Sequence, residues 1–211
     1  MTSAFLQLMR DGGPVLWIIG ICALIAMIIF FKKTFQFHRE EVNVRELVRG
    51  LENVLRRNGF VEAISLCDNT PGPVARMLSA AIAARQQGDE DIRSAVDDAA
   101  FNEIPRLERG MKCLGTIGFI LPLMGFFGTV VGMLDAFKEV GGKVLSSSVF
   151  SGAVSQALLT SAAGLAGAIL SYVAYNYLVS RIDTITLDME RAAIEITSFF
   201  ERSRRGDNSE N

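Results

Sequence analysis

Long uncharged runs alternate with charged stretches along this chain of 211 residues. The uncharged runs cover residues 12–31, 113–134 and 144–180. Each run is long enough to cross the hydrocarbon core of a bilayer as a helix, which takes about 20 apolar residues. The pattern therefore predicts three transmembrane helices.

The charges that flank these runs predict their orientation. The opposite charges of Arg10 and Asp11 cancel in front of the first run, whereas two positive charges, Lys32 and Lys33, follow it. The positive-inside rule then leaves the N-terminus outside and puts the following segment in the cytoplasm. A cleaved signal peptide would carry its positive charge ahead of the apolar core, so we expect a retained anchor. Arginines after residue 180 likewise predict a cytoplasmic C-terminus.

The segment between the first and second runs has the apolar periodicity of amphipathic helices. The predicted helices cover residues 40–57, 60–67 and 74–87. Asp89 is expected to cap a further helix that starts near Glu90 and runs unbroken into the second span. Pro105 should kink that helix or mark a turn boundary. Residues 182–200 keep a helical pattern and should continue the third span.

The second and third spans each carry a face of small residues. At about 100° per residue, the small residues of the second span fall within an arc of roughly 100°. They are Gly115, Gly118, Pro122, Gly125, Thr129 and Gly132. A similar face on the third span contains Gln156, Thr160, Gly164, Gly167 and Ser171, with Ser161 beside its edge. Small faces are where membrane helices approach one another closely, so we expect both faces to be packed.

The polar groups on these two faces have two interpretations. Thr129, Thr160, Ser161 and Gln156 could join helices through interhelical hydrogen bonds worth about 1 kcal/mol or less each. They could also line a narrow hydrated route, because polar groups inside a membrane are costly and tend to mark ion pathways. The spacing supports both interpretations equally.

The predicted spans have no carboxylate or histidine near their middle. Asp135 lies toward the outer end of the second span, where we expect it to be a wetted interfacial residue. His38, the single histidine, lies beside Arg39 and Glu40 and is expected to be solvated. A proton path needs a titratable group, so a partner would have to supply the carboxylate if protons move here.

Composition excludes several other classes of function. The net charge of −2 gives no reason to expect a nucleic acid as partner. Cys22, Cys67 and Cys113 have no paired spacing and are expected to be buried thiols, with no metal or other cofactor. No Gly-Lys-Ser/Thr follows the glycines at 125 and 128, and no Gly-x-Ser-x-Gly nucleophile occurs. The sequence therefore argues against an enzyme.

Three segments carry a resemblance to a known family. The second span contains PLMGFFGTVVGM at residues 122–133, and the third contains GAVSQALLTSAAGL at 152–165. Between the first two spans, AISLC at 63–67 is followed by PGPVAR at 71–76. In their order along the chain and in their predicted topology, these segments resemble the MotA/TolQ/ExbB proton-channel family, nearest to its ExbB and TolQ branches.

The resemblance implies an all-α inner-membrane protein of bacteria that assembles as a homo-oligomer, expected to be a pentamer. In such complexes the second and third helices line a central pore, which holds single-span ExbD/TolR-like partners that carry the proton-binding aspartate. A TonB/TolA-like transducer is a further implied partner. By match, Thr129 and Ser161 correspond to the pore hydroxyls of the family. Gln156 stands where these members usually carry a glutamate, which puts a role in proton transfer at this position in doubt.

The resulting hypothesis is a motor subunit that converts proton motive force into work for envelope transport. A non-conducting membrane scaffold and a sodium-driven stator subunit are the alternatives. The predicted division assigns residues 1–33 to the N-terminal segment and first span, 34–112 to a cytoplasmic helical domain, 113–137 to the second span, 138–148 to an outer turn, 149–180 to the third span and 181–211 to a cytoplasmic helix and tail.

Overall fold

The computed structural model describes residues 13–40, 43–87, 91–140 and 147–207, which fold into seven helices. They are α1 (Gly13–Arg39), α2 (Val44–Leu55), α3 (Phe60–Asp68), α4 (Pro73–Gln86), α5 (Ile92–Glu108), α6 (Met111–Val140) and α7 (Ser147–Asp207). No strand occurs among these residues, and three helices are long and apolar enough to cross a membrane. The prediction of an all-α membrane protein with three spans is confirmed.

The chain divides into two compact units. The membrane unit comprises residues 1–33 and 110–178, and the bundle unit comprises residues 34–109 and 179–211. The membrane unit contains most of α1, all of α6 and the first half of α7. The bundle unit contains the end of α1, helices α2 to α5 and the rest of α7.

Apolar side chains of α1, α6 and α7 form a small core inside the membrane unit. Val15 and Ile19 of α1 pack with Leu121 of α6 and Ala168 of α7, and all four are buried. The Phe30 and Tyr177 rings meet edge to face, with 6.1 Å between their centroids. The bulky residues on the other sides of these helices, including Phe119, Phe126 and Leu165, are exposed, as lipid-facing or partner-facing residues would be.

The bundle unit has a separate and larger hydrophobic core. Its helices are amphipathic, and their apolar faces meet around fully buried side chains. The largest of these are Leu51, Met77, Leu78, Ile82, Met189 and Ile196. Glu103 of α5 is a buried acidic side chain in this unit. The Nε and Nη2 of Arg76 on α4 lie 2.9 Å and 2.7 Å from its Oε2, and the Arg106 Nη1 donates to its Oε1 at 2.9 Å.

Turn residues set the ends of the bundle helices. Asn58 adopts a left-handed backbone (φ 56°) in the turn between α2 and α3. Pro73 occupies the first turn of α4, where its missing N–H costs nothing. The Asp91 carboxylate accepts a 3.1 Å hydrogen bond from the Ser94 N–H and caps α5. Asp89, the predicted cap, and residues 141–146 of the predicted outer turn lie outside the described residues.

The expected unbroken helix from residue 90 into the second span is wrong. The helix ends at Glu108, three residues after Pro105, and a turn at Arg109 and Gly110 separates it from α6. Gly110 has φ 91°, a backbone conformation that glycine adopts without the steric cost of a side chain. At the other end of the second span, α6 continues to Val140, past the expected start of the turn at Lys138. The predicted continuation of the third span is confirmed by the length of α7.

Candidate functional site

The small faces of α6 and α7 meet at backbone contact in the membrane unit. A Cβ placed on Gly164 of α7 would lie 2.7 Å from the Leu121 carbonyl oxygen and 2.8 Å from the Gly125 Cα of α6. A Cβ on Gly125 would lie 3.2 Å from the Ser161 Cα. A Cβ on Gly164 would force backbone atoms of α6 to shift, and one on Gly125 would force its neighbours to move by a few tenths of an ångström, so glycine at both positions lets the helices approach this closely.

Small residues continue this contact in both directions along the two helices. A Cβ on Gly132 would lie 2.9 Å from the Ala157 Cβ, and one on Gly128 would lie 2.6 Å from the Thr160 Oγ1. The corresponding distances at Gly118 and Gly115 are longer. A Cβ on Gly118 would be 3.6 Å from the Ser171 Cβ, and one on Gly115 would be 3.2 Å from the Tyr175 ring. We call this contact between Gly115–Gly132 of α6 and Ala157–Tyr175 of α7 the glycine seam.

The other two residues of the predicted packing set lie beside the seam. A Cβ on Gly167 would be 3.1 Å from the Leu121 Cδ1 and 4.0 Å from the Ala23 Cβ of α1, so this glycine faces both neighbouring helices. Pro122 is half-buried inside α6.

Ser161 joins the two helices through its hydroxyl. Its Oγ donates a 3.1 Å hydrogen bond to the carbonyl oxygen of Gly125 on α6. Thr160, the preceding residue, is only 2% exposed and packs against Gly128. The Thr160 Oγ1 donates to the Ala157 carbonyl oxygen of its own helix at 2.8 Å.

Thr129 lies at the edge of the seam and is only partly buried. Its Oγ1 donates to the Phe126 carbonyl oxygen of its own helix at 2.6 Å. The structure thus brings Ser161 and Thr160 against the glycines of α6, whereas the Thr129 hydroxyl bonds within α6.

Gln156 has a different neighbour from the three hydroxyl residues. Its side-chain amide contacts Gly13, the first residue of α1, where any Cβ would collide with the Gln156 Nε2. Gly13 also has φ 67°, a backbone conformation that favours glycine. Both this conformation and the lack of space for a Cβ therefore favour glycine at this position. Sequence periodicity could not reveal this contact, because it depends on how α1 packs against α7. Ser171 is a second buried polar residue of α7, only 4% exposed, and faces Gly118.

The polar side chains of the site are uncharged. The spans carry no Asp, Glu, His, Lys or Arg from Gly13 to Phe31, from Leu114 to Leu134 or from Ser151 to Ser180. Asp135 is exposed at the end of the second span, where Lys138 lies 3.4 Å from its Oδ1. Within the described part of the chain, no three His, Cys, Asp or Glu side chains come together as a metal site. The seam can therefore offer hydrogen bonds to an ion but no counter-charge.

Comparison with known proteins yields one family and several relatives. The sequence model of the MotA/TolQ/ExbB proton channel family matches residues 69–191. An ExbB homolog from Methanothermobacter thermautotrophicus is 25% identical over 179 residues, which cover 84% of this chain and 64% of the relative. The biopolymer transport protein ExbB of Neisseria gonorrhoeae is 25% identical over 89% of this chain and 92% of its own length.

A further relative matches a shorter region with higher identity. The Tol-Pal system protein TolQ of Haemophilus influenzae is 33% identical over 113 residues, which cover 53% of this chain and 50% of the relative. The chain thus spans between one half and nine tenths of the length of these relatives.

Proposed function

We propose that this chain, which belongs to the MotA/TolQ/ExbB proton channel family, is the channel-forming subunit of a motor driven by proton motive force. It is an inner-membrane protein with three membrane-capable helices. The N-terminus lies outside and the bundle unit lies in the cytoplasm, as the flanking lysines and arginines favour. The motor serves transport across the envelope or import of biopolymers.

The observation that carries the proposal is the glycine seam, with its hydroxyls at membrane depth and no charged residue within the spans. Proton transfer at neutral pH needs a group such as a carboxylate or a histidine, and the described spans contain neither near their middle. The carboxylate therefore comes from a partner, an ExbD/TolR-like single-span protein with a membrane aspartate. A TonB/TolA-like transducer would receive the work.

The pathway runs beside α6 and α7 in a homo-oligomer, which we propose to be a pentamer. Thr129 is partly exposed and places its hydroxyl at the edge of the seam, where a partner helix could reach it. Ser161 is also partly exposed. Thr160 and Gln156 support the pathway from inside the chain, against Gly128 and Gly13.

The test is proton flux in liposomes that contain the complex purified from native membranes in mild detergent. Thr129→Val removes the hydroxyl at nearly constant volume and should reduce flux at least tenfold, while the complex keeps its mass. Thr116→Val is the matched control, because Thr116 lies on the same helix, is exposed and donates to its own helix at Lys112. Equal flux in both variants and the wild type would contradict a role of Thr129 in the pathway.

A non-conducting scaffold is the second candidate, and the hydrogen bonds of the seam favour it. Thr160 and Ser161 have protein partners for their hydroxyl protons, so both residues fit a purely structural role. A complex that assembles with its partner but passes neither protons nor sodium would support the scaffold. Flux driven by a sodium gradient, and absent under a proton gradient, would instead support a sodium-driven stator.

A further inference from the structure

The exposed side of α5 in the bundle unit combines acidic and apolar residues. At about 100° per residue, Asp97, Asp98, Phe101 and Pro105 fall within an arc of roughly 100°, and all four are exposed. Phe101 is 77% exposed, although an aromatic ring gains from burial. Neither carboxylate forms an ion pair within the described part of the chain. We call this side of α5 the acidic face.

The exposed side of α2 carries arginines. Arg45, Arg49 and the C-cap residue Arg56 are exposed and fall within an arc of roughly 40°, which we call the arginine stripe. None of the three forms an ion pair within the residues that the structure describes. Glu46 and Glu52 are the acidic residues of α2, so three arginines and two glutamates leave this helix and its cap with a net charge of +1.

The two faces lie at opposite ends of a row of helices. In the bundle unit α2 packs on α3, α3 on α4 and α4 on α5, whereas α2 and α5 make at most marginal contact. Copies of one membrane protein share their orientation in the bilayer, so a ring of copies has its axis along the membrane normal. A contact that joins one end of each copy to the opposite end of the next is head to tail and can close into such a ring. Opposite charges at the two ends suit this kind of contact.

Arginine is chemically matched to both features of the acidic face. A guanidinium bonds carboxylates through its planar fork of N–H groups, and it also stacks on aromatic rings. Arg56 shows the second mode within this chain, because its guanidinium lies 6.0 Å from the centre of the Phe199 ring. Arg45 and Arg49 are one helical turn apart, and so are Asp97 and Phe101. One guanidinium can therefore bond a carboxylate while the next covers the ring.

We propose that the bundle units of neighbouring copies pack head to tail, with the acidic face of α5 on one copy against the arginine stripe of α2 on the next. The inference rests on the proposed function, which provides the homo-oligomer. An anionic lipid surface would also attract the arginines, but it would repel Asp97 and Asp98. A second copy of the chain accounts for both faces at once.

The first experiment joins the two faces in the intact complex. Two differently tagged chains are expressed together, one with Asp98→Cys and the other with Arg49→Cys, both with exposed Cys113 replaced by serine. A short bismaleimide should link the two tags, and only a contact between copies can do so. Glu62→Cys on α3, also exposed, replaces Arg49→Cys in the control and should give no link. A complex of several copies without the link, or equal links in both pairs, would overturn the inference.

Charge reversal separates this contact from the proposed function. Reversal of Asp97 and Asp98 to arginine should lower the assembled fraction about threefold or more, the scale of one or two exposed ion pairs. Reversal of Arg45 and Arg49 to aspartate in the same chain should restore assembly, as measured by complex mass. These side chains are exposed, so the fold should persist, and circular dichroism would check it.

The remaining outcomes tell the two proposals apart. Full assembly and intact proton flux after the first reversal would overturn this contact alone, and so would a loss that the second reversal does not restore. If reversal of Arg45 and Arg49 by itself abolishes binding to vesicles of anionic lipid and leaves assembly intact, lipid covers the arginines and the contact is wrong. A chain that purifies as a single copy and conducts no protons would overturn both proposals.

Discussion

The hydroxyl of Ser161 is hydrogen-bonded to the carbonyl oxygen of Gly125 across the helix interface, at 3.1 Å. The bond connects the second and third spans at the place where their backbones are closest. It can form because neither Gly125 nor Gly164 has a side chain to hold the helices apart.

We expect Ser161→Ala to weaken the membrane unit slightly. The substitution removes one interhelical hydrogen bond without adding volume, so the free energy of unfolding should fall by about 0.5–1 kcal/mol. Denaturation in mixed micelles would measure the change. Ser155→Ala, at an exposed position of the same helix, is the control and should leave stability unchanged. A loss of equal size in both variants would show that the bond contributes nothing.

Gly164→Ala should be more harmful than the loss of that bond. The new Cβ would lie 2.7 Å from the Leu121 carbonyl oxygen, a backbone atom that cannot rotate away. Forced separation of packed helices should destabilise by about 1–3 kcal/mol. Gly152→Ala is the matched control, because nothing lies within 4 Å of a Cβ there. Thermal unfolding in detergent compares the two, and similar midpoints would contradict the close contact.

Glu103→Gln should destabilise the bundle unit. The buried carboxylate bonds both Arg76 and Arg106, whose side chains are 46% and 71% exposed. Since water can still reach both arginines, we expect a loss of about 1–2 kcal/mol, below the cost of breaking a fully buried pair. Asp97→Asn, at an exposed position of α5, tests whether loss of any acidic charge has the same effect. Chemical denaturation followed by circular dichroism would show the difference.

Cys67 should make stability depend on pH in the alkaline range. Burial, with a smaller contribution from the Asp68 carboxylate, raises the pKa of the Cys67 thiol to about 11 from 9.0. Folding therefore favours the neutral thiol. The contribution of this preference to the free energy of unfolding is fully present below pH 9 and is lost as the pH rises from 9 to 11. Two pKa units correspond to about 3 kcal/mol at most.

The comparison with Cys67→Ala isolates this contribution from the titration of other groups. The wild type should lose stability relative to the variant between pH 9 and 11. At neutral pH, a thiol reagent should label exposed Cys113 quickly and Cys67 only on unfolding. If the difference in free energy of unfolding between the wild type and Cys67→Ala stays constant across this pH range, the raised pKa is contradicted.

The uncharged runs were sufficient to predict the three spans, and the periodicity of small residues predicted a small face on two of them, but neither pattern predicts which residues meet. Gly125 and Gly164 could be placed on small faces, because helical geometry fixes the angle between residues of one helix. The Gln156 contact with Gly13 depends on the packing of α1 against α7, which no pattern within either helix encodes. Of the three predicted buried thiols, Cys67 is buried and Cys22 is partly buried, but Cys113 is exposed, so that expectation is wrong for Cys113.

The break at Gly110 shows a second limit of the sequence. An isolated glycine such as Gly110, between Arg109 and Met111, is compatible with a continuous helix at a cost of about 1 kcal/mol, so its position alone does not predict a turn. Its positive φ is visible only in the folded chain. The same holds for the start of α5, since Asp89 and Asp91 are both good N-caps and the structure uses Asp91.

The hydroxyl protons of Thr129, Thr160 and Ser161 all point to backbone carbonyls. Each of these side chains therefore presents only lone pairs to its surroundings, so the membrane interior of this protein accepts hydrogen bonds and donates none through them. A neighbouring group that still carries its proton finds a bonding partner here, whereas the same group without its proton does not. In the proposed pathway, the partly exposed hydroxyls of Thr129 and Ser161 would therefore distinguish a protonated carrier from a deprotonated one without any charge of their own.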